Sequence, residues 1–327
     1  MTEILEVVAA GLLSTIQDGG RPGYAHLGVP SSGPCDPWAH AVANLLAGNE
    51  PTAAALEMTL EGPDLRAVRS CTVALAGADL GAITSEGRRL APGRSHPLAE
   101  GVLVRMPGTP GASGCRAYLA VPGGFELPPV LGSRSTCLAA GFGGLDGRPL
   151  RAGDRLACSG DPEAASADAV WPAAASNVPG PRVVRVLPGP DASLIDPLLG
   201  GRWTVSPASN RMGVRLAGPP IDPGSGAAER VSQGIVPGTI QVPPGGLPIA
   251  LLADAQTTGG YPVPAIAITA DLTILGQLRP GDEVRFETVA PADAVDALHR
   301  QREAMARGTK ALAESKPWNE LWRSARG

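Results

Sequence analysis

The chain has 327 residues and a formal charge of −4, with 43% apolar and 18% charged residues, a balance that predicts about two folded domains rather than disorder. Mild acidity argues against a nucleic-acid partner, whose binders usually carry a basic patch. Only two lysines occur, Lys310 and Lys316, so the body of the protein can supply no P-loop, Schiff-base or biotinylated lysine.

With 43 glycines and 34 prolines, long helices are disfavoured, because each interior glycine costs ~1 kcal/mol and each proline ~3. Short strands joined by tight turns are expected. Five cysteines (Cys35, Cys71, Cys115, Cys137, Cys158) are widely spaced without C-x-x-C, and four histidines include no H-E-x-x-H. Structural zinc is therefore not expected. Glu3 and Glu6 interrupt the apolar N-terminal stretch, and no run approaches ~18 apolar residues, so neither a signal peptide nor a spanning helix is predicted. A cytoplasmic location is the expectation.

In chain order, residues 17–37 (QDGGRPGYAHLGVPSSGPCDP) come first as a long, glycine-rich, polar stretch; segments of that length are usually functional or disordered. It runs into a predicted helix capped by Asp36, with Pro37 first and Gly48 as the stop. Free N–H groups at that helix start could receive an anion, with Arg21 supplying charge. The other reading is an ornate turn in which Asp18 and Asp36 bond local backbone. Cys35 precedes the helix but is expected to be an ordinary buried cysteine. Strands are predicted at 71–76, 102–106, 117–121, 182–187, 248–253, 265–270 and 283–288. VVRVL and IALLA read as strands buried on both faces. A C-terminal helix is predicted over about 292–314; Trp318 and Trp322 beyond it, four apart, read first as packing on the protein's own body and second as an apolar stripe for a partner.

Residues 161–181, rich in alanine and proline, read as a linker between two halves. The halves echo each other: LEGPDL (60–65) and LAGPPI (216–221), GGFELPPV (123–130) and GGYPVPAI (259–266), LRAGDRL (150–156) and LRPGDEV (278–284), all in the same order. Two β-domains of related fold follow, with boundaries at 1–160 and 182–290 and a helical tail at 291–327. In the second half, Arg211 and Arg215 lie four apart. Asp254, Gln256, Thr257 and Thr258 then gather a carboxylate, an amide and two hydroxyls before a Gly-Gly turn. Such groups suit a polar ligand bearing carbonyls or phosphate; they could equally saturate their own turn.

These same segments, with LGSRST (131–136), SNRMGVRLAGP (209–219), PGTIQVPP (237–244) and LLADAQTTGGYP (251–262), resemble the family containing the C subunit of 5-oxoprolinase. The same family includes the Kip antagonist, proteins labelled allophanate hydrolase subunit 2, and part of the urea carboxylase carboxyltransferase region. The resemblance covers residues 3–288 and implies a mainly β protein of two cyclophilin-like β-barrel domains related by internal duplication, with few short helices. It also implies the B (Kip-inhibitor-like) and A subunits of 5-oxoprolinase as partners, and ATP-dependent opening of 5-oxo-L-proline to L-glutamate. ATP and Mg²⁺ are the implied cofactors, held here or by a partner. Biotin belongs to the alternative, a carboxyltransferase component of a urea-type carboxylase; a Kip-antagonist-like regulator is a third reading. Where the family commonly reads SGAMD this chain has Ser32, Gly33, Pro34, Cys35, Asp36, so Cys35 is a poor nucleophile candidate. Under the resemblance Arg21, Arg134 and Arg211 are expected to bind phosphate or substrate carboxylate. Asp18, Asp36 or Asp254 would hold Mg²⁺ or orient water. Gln256, Thr257 and Thr258, with Ser32, Gly33 and Ser135, would touch substrate. Arg211→Ala is expected to abolish activity with the fold intact.

Overall fold

The computed structural model describes residues 2–165, 168–172, 182–224 and 231–324, with side chains through 314. Part of the expected linker, and the side chains of Trp318 and Trp322, lie outside the described residues. By internal contacts the chain forms two units. The first comprises Met1–Arg21, Ser32–Ser176 and Glu303–Gly327, and the second Pro22–Ser31 and Asn177–Arg302.

The first unit holds two five-stranded sheets. One runs, edge to edge, Arg155–Cys158, Thr2–Ala9, Asp64–Ala67, Leu103–Arg105 and Ile83–Thr84; the other runs Leu13–Gln17, Ala55–Thr59, Arg116–Ala120, Cys71–Gly77 and Arg94–Leu98. Leu5, Leu65 and Val104 of the first sheet share one core with Leu56, Val73 and Leu119 of the second. Helix α1 (Pro37–Leu46) starts and stops where the sequence signals it: Ala39 N–H donates to Asp36 Oδ1 at 3.0 Å, and Gly48 turns at φ 79°. Its buried face (Ala39, Val42, Ala43, Leu46) packs on Ala55, Ala74, Ala76 and Tyr118 of the second sheet. That sheet is covered on both faces, which is why CTVALAG is apolar without alternation.

The second unit closes a seven-stranded barrel in the order Arg182–Pro188, Ala265–Ala267, Thr239–Gln241, Ile249–Leu251, Gly213–Ala217, Trp203–Val205, Glu283–Thr288. Val184, Val214, Ile240, Ala250 and Phe286 are buried among its inward side chains. Two short helices, α2 (Ile195–Gly200) and α3 (Leu272–Gln277), accompany it. The strand expected over 265–270 ends at Ala267 and gives way to a 3-10 turn.

The echoed turns prove alike atom for atom. Arg151 N–H donates to Asp154 Oδ2 (2.7 Å) and Arg279 N–H to Asp282 Oδ2 (2.8 Å), with Gly153 and Gly281 both at φ 90°. Each aspartate seals the turn that its own glycine permits. The turns then bond equivalent strands, Gly153 N–H to Val7 O and Gly281 N–H to Val205 O.

Helix α4 (Pro291–Ser324) is longer than the predicted span. Its residues from Glu303 belong to the first unit, where Leu312 joins the core beside α1. Gly308 lies so close to the Trp171 indole that any Cβ would collide with it, and the Trp38 ring meets Trp171 edge-on at 6.5 Å. The close approach accounts for a glycine inside a helix, where it costs ~1 kcal/mol in propensity. No helix among the described residues is long and apolar enough to cross a membrane.

Candidate functional site

In the first unit Asp18 ties two loops together. Its Oδ1 accepts from Gly20 N–H (2.9 Å), Ser133 Oγ (2.5 Å) and Ser135 Oγ (2.7 Å), and its Oδ2 from Arg134 N–H (2.5 Å). Asp18 N–H in turn donates to Ser135 Oγ at 2.9 Å. Arg21 is buried at 2% exposure, donates to the carbonyls of Ser135 and Val130, and lies over the Phe142 ring at 4.9 Å. Gly143, at φ 73°, makes room for this, since a Cβ there would strike the Ser135 carbonyl. Arg134 donates to Leu127 O and pairs with Glu126 at 3.2 Å. Gly33 N–H reaches Gln17 Oε1 at 3.2 Å, and Ser32, at φ 51°, is buried with its Oγ unpartnered among the described residues. The sequence-predicted residues Asp18, Arg21, Ser32, Gly33, Arg134 and Ser135 thus lie in linked loops, but Asp18 and the two arginines chiefly hold backbone and side chains of the protein itself.

Behind helix α1 lies a buried polar network that sequence reasoning missed. Glu57 Oε2 accepts from Tyr118 Oη (2.6 Å) and Cys35 N–H (2.8 Å), while Glu57 Oε1 stands 3.7 Å from Arg116 Nε. Tyr118 Oη accepts from Asp36 N–H at 2.8 Å. Burial, then the Glu57 charge, pushes the Tyr118 phenol well above its ordinary value. A glutamate between Leu56 and Met58 in the strand ALEMT was the available signal, because a buried carboxylate requires partners. Asp36 caps α1 and sits in this network, so it anchors a helix rather than a metal ion. Cys35 is buried, as the sequence reading expected.

His40 shares that layer, with Nε2 at 3.1 Å from Gln17 O and its ring edge-on to Tyr118. Burial lowers its pKa below the ordinary 6.5, and burial also lowers that of His96. Below pH ~6.5 the unfolded chain therefore binds more protons, and stability falls from there down through the lowered values, by at most ~1.4 kcal/mol per pH unit for each histidine. Denaturant midpoints measured from pH 7.5 to 5 should decline, and His40→Gln should flatten the decline. An unchanged slope would mean that His40 does not titrate in this range.

In the second unit Arg211 and Asp254 neutralise one another. Nε and Nη2 of Arg211 donate to Asp254 Oδ2 (2.8 Å) and Oδ1 (3.2 Å), and each side chain is 2% exposed. Thr257 O accepts from Ile235 N–H, and Thr258 pairs with Gly234 in a small two-stranded ladder. Gln256 reaches farther: its Nε2 donates to Gln241 Oε1 at 3.2 Å, and both side chains line a cavity of about 110 Å³. Arg215, Ile249 and Tyr261 also line it. Gln241 and Arg215 were not assigned to a site from sequence, although Arg215 was noted beside Arg211.

The residues present do not fit the implied Mg²⁺. Asp18 is filled by four donors, Asp36 caps a helix, and Asp254 is matched by Arg211. Among the described residues no cluster of three or more histidine, cysteine or acidic side chains could hold a metal ion.

A family model described as the carboxyltransferase domain, subdomains A and B, matches residues 27–288. The chain is 37% identical to the C subunit of 5-oxoprolinase from Escherichia coli (strain K12), over 91% of this chain and 96% of that protein. It is 35% identical to the C subunit of 5-oxoprolinase from Haemophilus influenzae, over 93% and 96%. Among solved structures, urea amidolyase of K. lactis matches 93% of this chain with a TM-score of 0.82 at 30% identity, this chain covering 20% of that larger one.

Proposed function

The chain belongs to the family of the carboxyltransferase domain, subdomains A and B, and we propose that it is the C subunit of an ATP-dependent 5-oxoprolinase. In this reading it joins the A and B subunits to open the lactam of 5-oxo-L-proline to L-glutamate. The supporting observation is end-to-end similarity: two relatives named as the C subunit of 5-oxoprolinase align over 96% of their own length.

ATP and Mg²⁺ are assigned to the partner subunits, because the carboxylates and arginines first considered for them are engaged within this chain. This chain contributes binding and orientation of the organic substrate. A second reading, carboxyl transfer, draws on the structural match to urea amidolyase, but at lower identity and over a fifth of that chain.

The test is release of glutamate and phosphate from ATP and 5-oxoproline by the three purified subunits, omitting each in turn. Glutamate formed only with this chain present is the expected result. No turnover from an assembled complex would favour carboxyl transfer, to be assayed with biotin and bicarbonate.

A further inference from the structure

On the barrel of the second unit, three adjacent strands bring Arg215, Ile249 and Gln241 into one row, since Arg215 and Gln241 are both register partners of Ile249. Directly paired residues share a face of a sheet. The neighbouring row, Val214, Ala250 and Ile240, is fully buried in the barrel interior, so Arg215, Ile249 and Gln241 face outward. Gly213 belongs to the same outward face, two residues from Arg215. A Cβ there would stand 2.9 Å from Ile249 Cγ2 and 3.0 Å from Ala250 O. The missing side chain lets Ile249 and the Ala250 carbonyl lie close against this strand, and a pocket forms over the row.

The polar groups of the pocket are incompletely matched. Gln241 is 1% exposed, yet its Nε2 has no hydrogen-bond partner among the described residues. Gly259 backs this amide so closely that a Cβ would lie 2.5 Å from Nε2. A buried donor left unpaired is destabilising, a cost that a ligand acceptor would remove. Because Gln256 donates through its Nε2 to Gln241, its own carbonyl oxygen remains an acceptor. Side by side, the two amides offer one N–H and one C=O. That pair is complementary to a ring lactam, whose cis amide presents C=O and N–H along one edge. Arg215 supplies a guanidinium with no ion-pair partner among the described residues, suited to a carboxylate. Met212 and Ile249 give apolar wall for ring methylenes. The volume of about 110 Å³ is far below the ~300–1,000 Å³ of drug-sized sites, so the ligand is compact.

We propose that this outward pocket seats 5-oxoproline, its lactam edge on Gln241 and Gln256 and its carboxylate on Arg215. The proposal rests on the 5-oxoprolinase reading for its substrate. It replaces Arg211, which is committed to Asp254, with Arg215 as the carboxylate anchor.

The reconstituted complex of three subunits is assayed with 5-oxo-L-proline and with 2-pyrrolidinone, the same lactam without the carboxylate. Arg215→Ala should raise KM for 5-oxoproline at least tenfold, collapsing the preference of the complex for 5-oxoproline over 2-pyrrolidinone. Gln241→Met should raise KM for both. Arg215 is exposed, so its variant should keep the wild-type unfolding curve. If the wild-type complex turns over 5-oxoproline and both variants retain its KM, the pocket is not the substrate seat. If the wild-type complex is inactive, the functional reading fails, and the pocket is then judged by titrating the full chain with 5-oxoproline. A ligand-induced shift of the Gln241 side-chain amide NMR signal that is lost in Arg215→Ala sustains the site; no shift overturns it.

Discussion

Replacing Arg211 by alanine lowers the stability of the chain by about 3–5 kcal/mol, the range for breaking a buried ion pair from one side. The substitution strands the Asp254 carboxylate at 2% exposure without the two donors that now meet it. From sequence alone the same change is expected to abolish activity with the fold intact; the pairing reverses that expectation, because the guanidinium is occupied inside its own domain. Denaturant unfolding of the purified chain measures the loss. The double substitution Arg211→Met with Asp254→Leu should recover most of it, since replacing both members of a buried pair by apolar groups is often neutral or better. An unchanged midpoint for Arg211→Ala would show that the pair adds nothing and would return Arg211 to consideration as an anion ligand.

Asp18→Ala is expected to cost roughly 3 kcal/mol, because hydrogen bonds to a charged group are individually worth ~1.5–3 kcal/mol and do not add fully. Four donors from positions 20 and 133–135 lose their acceptor together. Amide exchange at Gly20 and Arg134 should accelerate more than exchange in the strands. Ser133→Ala, which removes one donor and keeps the carboxylate, should do far less. Native exchange rates at both amides in Asp18→Ala would mean that these loops are held by other contacts.

Helix α1 was legible because its signals are local: Asp36, Pro37 and Gly48 act within a turn or two of the backbone they govern. The twin Gly-Asp turns were legible for the same reason, each aspartate bonding an amide three residues away. The pairing of Arg211 with Asp254 was not. Both residues stood out, but 43 positions separate them, and only the register of the strand Gly213–Ala217 with Ile249–Leu251 brings their flanks together. The network of Glu57, Arg116 and Tyr118 was hidden similarly, because its members sit on two different strands, Ala55–Thr59 and Arg116–Ala120, that only their pairing brings together. Gln241 is harder still. A glutamine in TIQVPP is unremarkable until neighbouring strands set Ile249 and Arg215 in its row and a loop sets Gln256 beside it. Composition and short motifs therefore report what the backbone does nearby, while the candidate site depends on strand register, which no short window of sequence contains.

The notch at Gly308 gives the protein an optical gauge of its own last helix. Trp171 is 6% exposed because α4 lies against its indole, with Trp38 edge-on beside it. Indole emission moves to longer wavelength when water reaches the ring, so a red shift that disappears in Trp171→Phe would report that helix lifting away. Stopped-flow fluorescence could thus time the seating of the C-terminal segment during folding, with no label attached.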